Sequence, residues 1–114
     1  TMTVPEQYTI HSGETVLCLA RRFDVDPDDI IALNNLSADG FLNIGDVLQI
    51  PQSGSYPNDD RVRRDHPTTY TVQSVDTIYT IACAFGDVYP EEIIAANQLE
   101  EPFDLTSGET LNIP

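Results

Sequence analysis

The residues with most chemical potential in this chain are its carboxylates. Nineteen of its 114 residues are Asp or Glu, and several stand side by side, among them Asp28/Asp29, Glu91/Glu92 and Glu100/Glu101. Two suitably separated carboxylates are all that glycoside hydrolysis requires. The first two pairs, however, fall where helices are expected to begin, and there capping and the helix dipole account for acids. Nor does a module of about 45 residues offer a deep cleft that would raise a carboxyl pKa. His11 and His66 lack metal-ligand spacing, and no serine is flanked as a nucleophile elbow. The chain is therefore expected to be no enzyme and to hold no metal and no cofactor.

The charge balance narrows the partners. All five bases are arginines (Arg21, Arg22, Arg61, Arg63, Arg64), and the formal net charge is −14. Nucleic acid is excluded as a partner because phosphate binding needs a basic footprint. No basic amphipathic stretch points to an anionic membrane surface, and no apolar run approaches the ~18 residues of a membrane span. No signal peptide is visible; the start Thr1-Met2 is expected of a processed or trimmed chain, so the missing signal decides little. A hydrophobic fraction of 40%, with five Tyr and four Phe, suffices for a compact core.

The elements that position these residues come as an internal repeat. Tyr8-Thr-Ile-His-Ser-Gly-Glu-Thr15 reads against Tyr70-Thr-Val-Gln-Ser-Val-Asp-Thr77, and Pro27-Asp-Asp-Ile-Ile-Ala-Leu-Asn34 against Pro90-Glu-Glu-Ile-Ile-Ala-Ala-Asn97. Gly45-Asp-Val-Leu-Gln-Ile-Pro51 closes like Gly108-Glu-Thr-Leu-Asn-Ile-Pro114. This divides the chain into a tail (1–7), a first module (8–51), a linker (52–69) and a second module (70–114). In each module an alternating strand is followed by one helical stripe: Val16, Leu19, Ala20 and Phe23, matched by Ile78, Ile81, Ala82 and Phe85. A second helix starts at Asp26 as N-cap with Pro27 at N1; Tyr89 holds the weaker cap position of the second module. Its buried stripe is expected to be Ile30 and Leu33, or Ile93 and Ala96. Strands 8–11 and 47–50, and 70–73 and 110–113, should pair antiparallel, with helices over 15–23, 27–34, 77–85 and 90–97. The fold class is α+β: two small βααβ modules, each a two-stranded antiparallel sheet with two helices on one face. The linker arginines either lie back on the acidic modules or stay solvated.

Each module resembles a LysM module, the small βααβ domain that binds glycans containing N-acetylglucosamine. The opening pattern appears as Tyr8-Thr-Ile-His-Ser-Gly13-Glu14-Thr15-Val16 and as Tyr70-Thr-Val-Gln-Ser-Val75-Asp76-Thr77-Ile78. The mid-module Asn-x-Leu appears as Asn34-Asn35-Leu36 and Asn97-Gln98-Leu99, and the closing motif as Leu42 to Pro51 and Leu105 to Pro114. The chain is also similar to secreted bacterial tandem LysM proteins. The resemblance implies a groove between the strand 1–helix 1 loop and the helix 2–strand 2 loop. In the first module it would be walled by Gly13, Glu14, Thr15 and Val16 on one side and by Leu36, Ser37, Ala38, Asp39, Gly40 and Phe41 on the other. In the second it would be walled by Val75, Asp76, Thr77 and Ile78 facing Leu99, Glu100, Glu101, Pro102 and Phe103, with Tyr79 beside it as a candidate for sugar stacking. Val75 stands where the family has glycine.

The first helix buries positions 16, 19, 20 and 23, which leaves Cys18 on its other side; Cys83 aligns with Arg21, one turn on along that same side. Two surface cysteines in a secreted protein bond most simply to each other, so a Cys18–Cys83 disulfide is predicted, with free thiols or bonds between chains as alternatives. The whole reads as a secreted or cell-surface protein that binds peptidoglycan or chitin without catalysis and without membrane insertion. The alternative is a structural or interaction module that self-associates at the cell surface and does not bind glycan, for which exposed Ile31 and Ile94 would serve.

Overall fold

Short strands bring the ends of each repeat together. The structure, a computed structural model, describes residues 4–114; residues 1–3 of the expected tail lie outside them. Strand β1 (Gln7–Thr9) pairs antiparallel with β2 (Val47–Gln49), Tyr8 opposite Leu48. Between them run helices α1 (Val16–Phe23) and α2 (Pro27–Leu33). The second half repeats the order: β3 (Thr68–Thr71), α3 (Ile78–Phe85), α4 (Pro90–Asn97) and β4 (Thr110–Ile113), with Tyr70 opposite Leu111. Two βααβ units of α+β class result, as the sequence predicts.

The first strand of each unit starts earlier than the alternation places it. Ile10 still hydrogen-bonds across to Asp46 and Gly45, but the chain turns at His11, whose N–H donates to the Glu14 carboxylate at 2.7 Å instead. Thr68 and Thr69, assigned by sequence to the linker, pair with Ile113 and Asn112. Both are β-branched and fit a half-exposed strand.

The helix starts follow their caps. Thr15 accepts the Cys18 N–H at 3.1 Å and Asp26 that of Asp28 at 2.8 Å, while in α4 the Tyr89 N–H donates to Glu92 at 2.9 Å. The α1 and α3 stripes are buried as expected. The second helices differ from expectation: Ile30 and Ile93 are fully buried, but Leu33 and Ala96 are exposed. The next inward position belongs to an asparagine. Asn34 Nδ2 donates to the carbonyls of Ile30 (2.9 Å) and Gln49 (2.8 Å), and its Oδ1 accepts the Gln49 N–H (2.7 Å). Asn97 repeats this with Ile93 and Asn112. An amide both donates and accepts, so one side chain satisfies the free backbone edge of the closing strand. Ile31 and Ile94, expected to be exposed, are half-buried against the two cores.

The linker lies back on the modules. Tyr56 is buried in the first core, its N–H donates to Asp24, and its hydroxyl donates to Asp60, which also accepts from Arg21 at 3.0 Å. Arg61 donates to the carbonyls of Arg21 (2.6 Å) and Arg22 (3.1 Å) at the end of α1, where a cation complements the helix dipole. Arg64 covers the rings of Tyr70 and Phe85. Cys18 and Cys83 form a disulfide that joins α1 to α3. They are not surface residues: Cys18 is 3% exposed and Cys83 half-buried. The face of α1 turned away from its own core is covered by α3 of the other module. Tyr89 extends the first core from the second module, edge-on to Phe23 at 5.4 Å.

Candidate functional site

In the first module the two expected loops enclose a groove of about 430 Å³, lined by Glu14, Thr15, Val16 and Leu17 on one wall and Asp39, Gly40, Phe41 and Leu42 on the other. Its volume is that of a small-ligand cleft. Phe41 is 67% and Leu17 45% exposed, so two large apolar side chains stand at its rim. The Asp39 carboxylate accepts from the Ser37 hydroxyl (2.6 Å) and the Phe41 N–H (3.3 Å), which fixes the turn that presents Phe41. Those two hydrogen bonds, Ser37 first, hold the Asp39 carboxyl below the usual carboxylate range. Gly40 has a φ of +68°, and a Cβ there would come within 3.2 Å of Val16 Cγ2, across the groove floor.

Six of the ten residues expected in this groove line it: Glu14, Thr15, Val16, Asp39, Gly40 and Phe41. Gly13, Ser37 and Ala38 are exposed outside its lining, and Leu36 packs on the core. Leu17, the counterpart of Tyr79 in the repeat, and Leu42 line it as well, outside the expected set.

Glu14 lines the groove, but its side chain is buried and committed elsewhere. Its Oε2 accepts from Tyr8 Oη at 2.6 Å and from Arg22 Nη1 at 2.8 Å, and its Oε1 accepts the His11 N–H. Arg22 is 1% exposed, donates also to Tyr8 Oη, and lies over the rings of Tyr8 and Phe23. Burial pushes the Tyr8 phenol well above its ordinary pKa; Arg22 opposes this and the Glu14 hydrogen bond reinforces it. This carboxylate therefore holds up the groove wall, and its oxygens are spent.

The second module places the corresponding residues differently. Asp76 accepts from Tyr70 Oη (2.7 Å) and the Gln73 N–H (2.9 Å), but the position matching Arg22 is Ala84. Val75 is 84% exposed and adopts no positive φ, unlike Gly13 at +88°. Thr77 caps α3 and Ile78 is core. Leu99 packs on the core, while Glu100, Glu101 and Pro102 are exposed. Phe103 takes the position of Gly40: its φ is +62°, and its N–H donates to Glu100 as that of Gly40 does to Ser37, each at 2.8 Å. Its side chain is half-buried against the second core, at a position that carries no side chain in the first module. Tyr79, expected beside this groove, stacks instead on His11 of the first module, 3.7 Å between centroids and 5° between planes.

The profile of the LysM domain matches residues 8–51 and 70–114. The secreted LysM effector ECP6 of Passalora fulva is 27% identical over 95% of this chain and 52% of its own length. The secreted LysM effector ELP2 of Colletotrichum higginsianum is 26% identical over 93% of this chain and 65% of its own. The N-acetylmuramoyl-L-alanine amidase sle1 of Staphylococcus saprophyticus is 31% identical over 93% of this chain but only 32% of its own length. Among solved structures, the spore cortex-lytic enzyme SleL of Bacillus megaterium QM B1551 aligns at 30% identity and a TM-score of 0.38, over 95% of this chain and 22% of that one. The chain thus spans about half to two thirds of the fungal relatives and about a third of the bacterial one. With both of its repeats matched end to end, the chain belongs to the LysM family.

Proposed function

We propose that this chain binds N-acetylglucosamine-containing glycans without cleaving them, through the groove of its first module, and acts outside the cell. The observation that carries this reading is the groove between Thr15–Leu17 and Asp39–Leu42, with Phe41 and Leu17 at its rim. An N-acetyl group presents an amide donor, a carbonyl acceptor and a methyl. Loop backbone groups match the first two, and apolar side chains receive the methyl and the sugar face. Family membership supports the ligand class, and relatives named as secreted effectors support secretion. Among the described residues no helix is long and apolar enough to cross a membrane.

Within that class we favour the neutral polymer, chitin, over peptidoglycan. A chain of net charge −14 without lysine repels a polymer whose peptide stems carry carboxylates. The second module is assigned no equivalent site, because Phe103 fills the position that Gly40 leaves open. Ile31 and Ile94, the residues that would have served the self-associating alternative, are packed against the cores.

Calorimetric titration with chito-oligosaccharides tests this. Saturable binding is expected, weakened roughly fivefold to tenfold by Phe41→Ala, the scale of one lost aromatic contact. Muropeptides should bind more weakly at low salt, with the gap narrowing as salt rises. Binding indifferent to both Phe41→Ala and Leu17→Arg would place the site elsewhere.

A further inference from the structure

We propose that the second module braces the first module's groove, with Tyr79 and Thr80 as positioning residues for the wall that begins at Glu14; this rests on the reading that the first groove is the glycan site. That wall hangs from a short loop, His11 to Thr15, whose Ser12, Gly13 and Thr15 are exposed and add nothing to the core. Within its own module only Glu14 ties this loop down, through Tyr8 and Arg22, and its exposed residues depend on other contacts to stay in place. Here three contacts from α3 hold it from behind.

The Tyr79 ring stacks on His11. His11 is tied in turn to Glu14, through its N–H at 2.7 Å and its Nδ1 at 3.1 Å. Gly13 packs so closely on α3 that a Cβ would lie 2.6 Å from Thr80 Cγ2. At the other end of the loop, Thr15 accepts the N–H of Cys18, whose sulfur is bonded to Cys83 of α3. These three contacts end on the second module and add to the hydrogen bonds that Tyr8 and Arg22 of the first module give Glu14. The matching loop of the second module has no such support: Gln73 and Val75 stand where His11 and Gly13 do, and both are exposed. The contact runs one way, with one module presenting a groove and the other supporting it.

Hydrogen–deuterium exchange and glycan titration on the full chain test this together. The reporters are the amides of His11, Glu14 and Cys18, each hydrogen-bonded to a residue of the loop. Tyr79→Ala should speed their exchange and weaken chito-oligosaccharide binding, each roughly fivefold to tenfold. Tyr79→Phe keeps the ring and should restore both. Thr80→Ser keeps the hydroxyl that caps α3 and removes only the methyl facing Gly13; it should give a smaller change of the same sign, even if Tyr79→Ala perturbs α3 itself. Unchanged loop exchange in Tyr79→Ala and Thr80→Ser would overturn the brace, as would faster exchange with unaltered affinity. A wild-type chain that binds no oligosaccharide would refute the glycan reading, and with it the groove's role, whereas the exchange contrast would still show whether α3 holds the loop.

Discussion

The two modules share a scaffold and diverge in what surrounds it. Both place a tyrosine of the first strand against an acid of the following loop, Tyr8 on Glu14 and Tyr70 on Asp76, at 2.6 and 2.7 Å. Both fasten the second helix to the closing strand with one asparagine. From there they part. The longer Glu14 reaches a buried Arg22 beneath the disulfide, whereas Asp76 has Ala84 in that place and makes a shorter network with Thr80. Gly40 leaves a groove open where Phe103 packs inward. The shared contacts build the fold, and the divergent ones are what the proposal of a ligand-binding module and a supporting module rests on.

The largest stability effect should come from the bond that joins the modules. Replacing Cys18 and Cys83 with serine reopens a link across 65 residues, worth about 4 kcal/mol in the chain-entropy model. Denaturant unfolding should then separate into two transitions, one for each module; a single transition at nearly unchanged midpoint would show that the linker and Tyr89 join the modules without it. Next comes the buried ion pair. Glu14→Ala leaves Arg22 without its carboxylate and should cost about 3 kcal/mol. Asp76→Ala, which strands no charge, should cost about 1–2 kcal/mol. Equal losses would erase this difference between the modules. Asn34→Ala and Asn97→Ala should in contrast cost alike, about 2 kcal/mol each, since each removes the same three hydrogen bonds.

The smallest effect is that of pH. His66 contacts Asp87 Oδ1 (2.8 Å) and the Pro114 carbonyl (2.6 Å). Burial works against its charged form, but the Asp87 hydrogen bond and charge outweigh it and raise its pKa. A raised folded pKa contributes stability that is complete below the unfolded value of about 6.5 and is lost as pH climbs through the folded one. The stability of the wild type relative to His66→Gln should therefore shrink from pH ~6 to ~8. A difference that grows across this range would reverse the assignment.

Much of this was legible from one sequence because the repeat spells each element twice. Helix stripes such as Val16, Leu19, Ala20 and Phe23 are periodic, and Asp26-Pro27 is a local cap, so neither needs tertiary knowledge. The errors arose where a residue's role is set by a distant partner. Leu33 read as core because its spacing fits, yet the inward position went to Asn34, whose partner strand lies 15 residues on. Cys18 read as surface, although it bonds to Cys83, because nothing in α1 announces that α3 will cover it. Tyr79 was a candidate for sugar stacking, and the partner its ring does stack on, His11, belongs to the other module and could not be read from the second repeat. Motif transfer pointed to the loops that line the cleft, but it could not show that Glu14 turns inward to Arg22, since the paired arginine lies outside the motif.

The most direct test of one groove and one brace is the stoichiometry and location of binding. Isotope-labelled chain titrated with a chito-oligosaccharide should saturate at one ligand per chain, with amide shifts gathered at 13–17 and 39–42 and no separate set at 75–79 and 99–103. Saturation at two ligands per chain, or a first set of shifts in the second module, would contradict the division of labour between the modules.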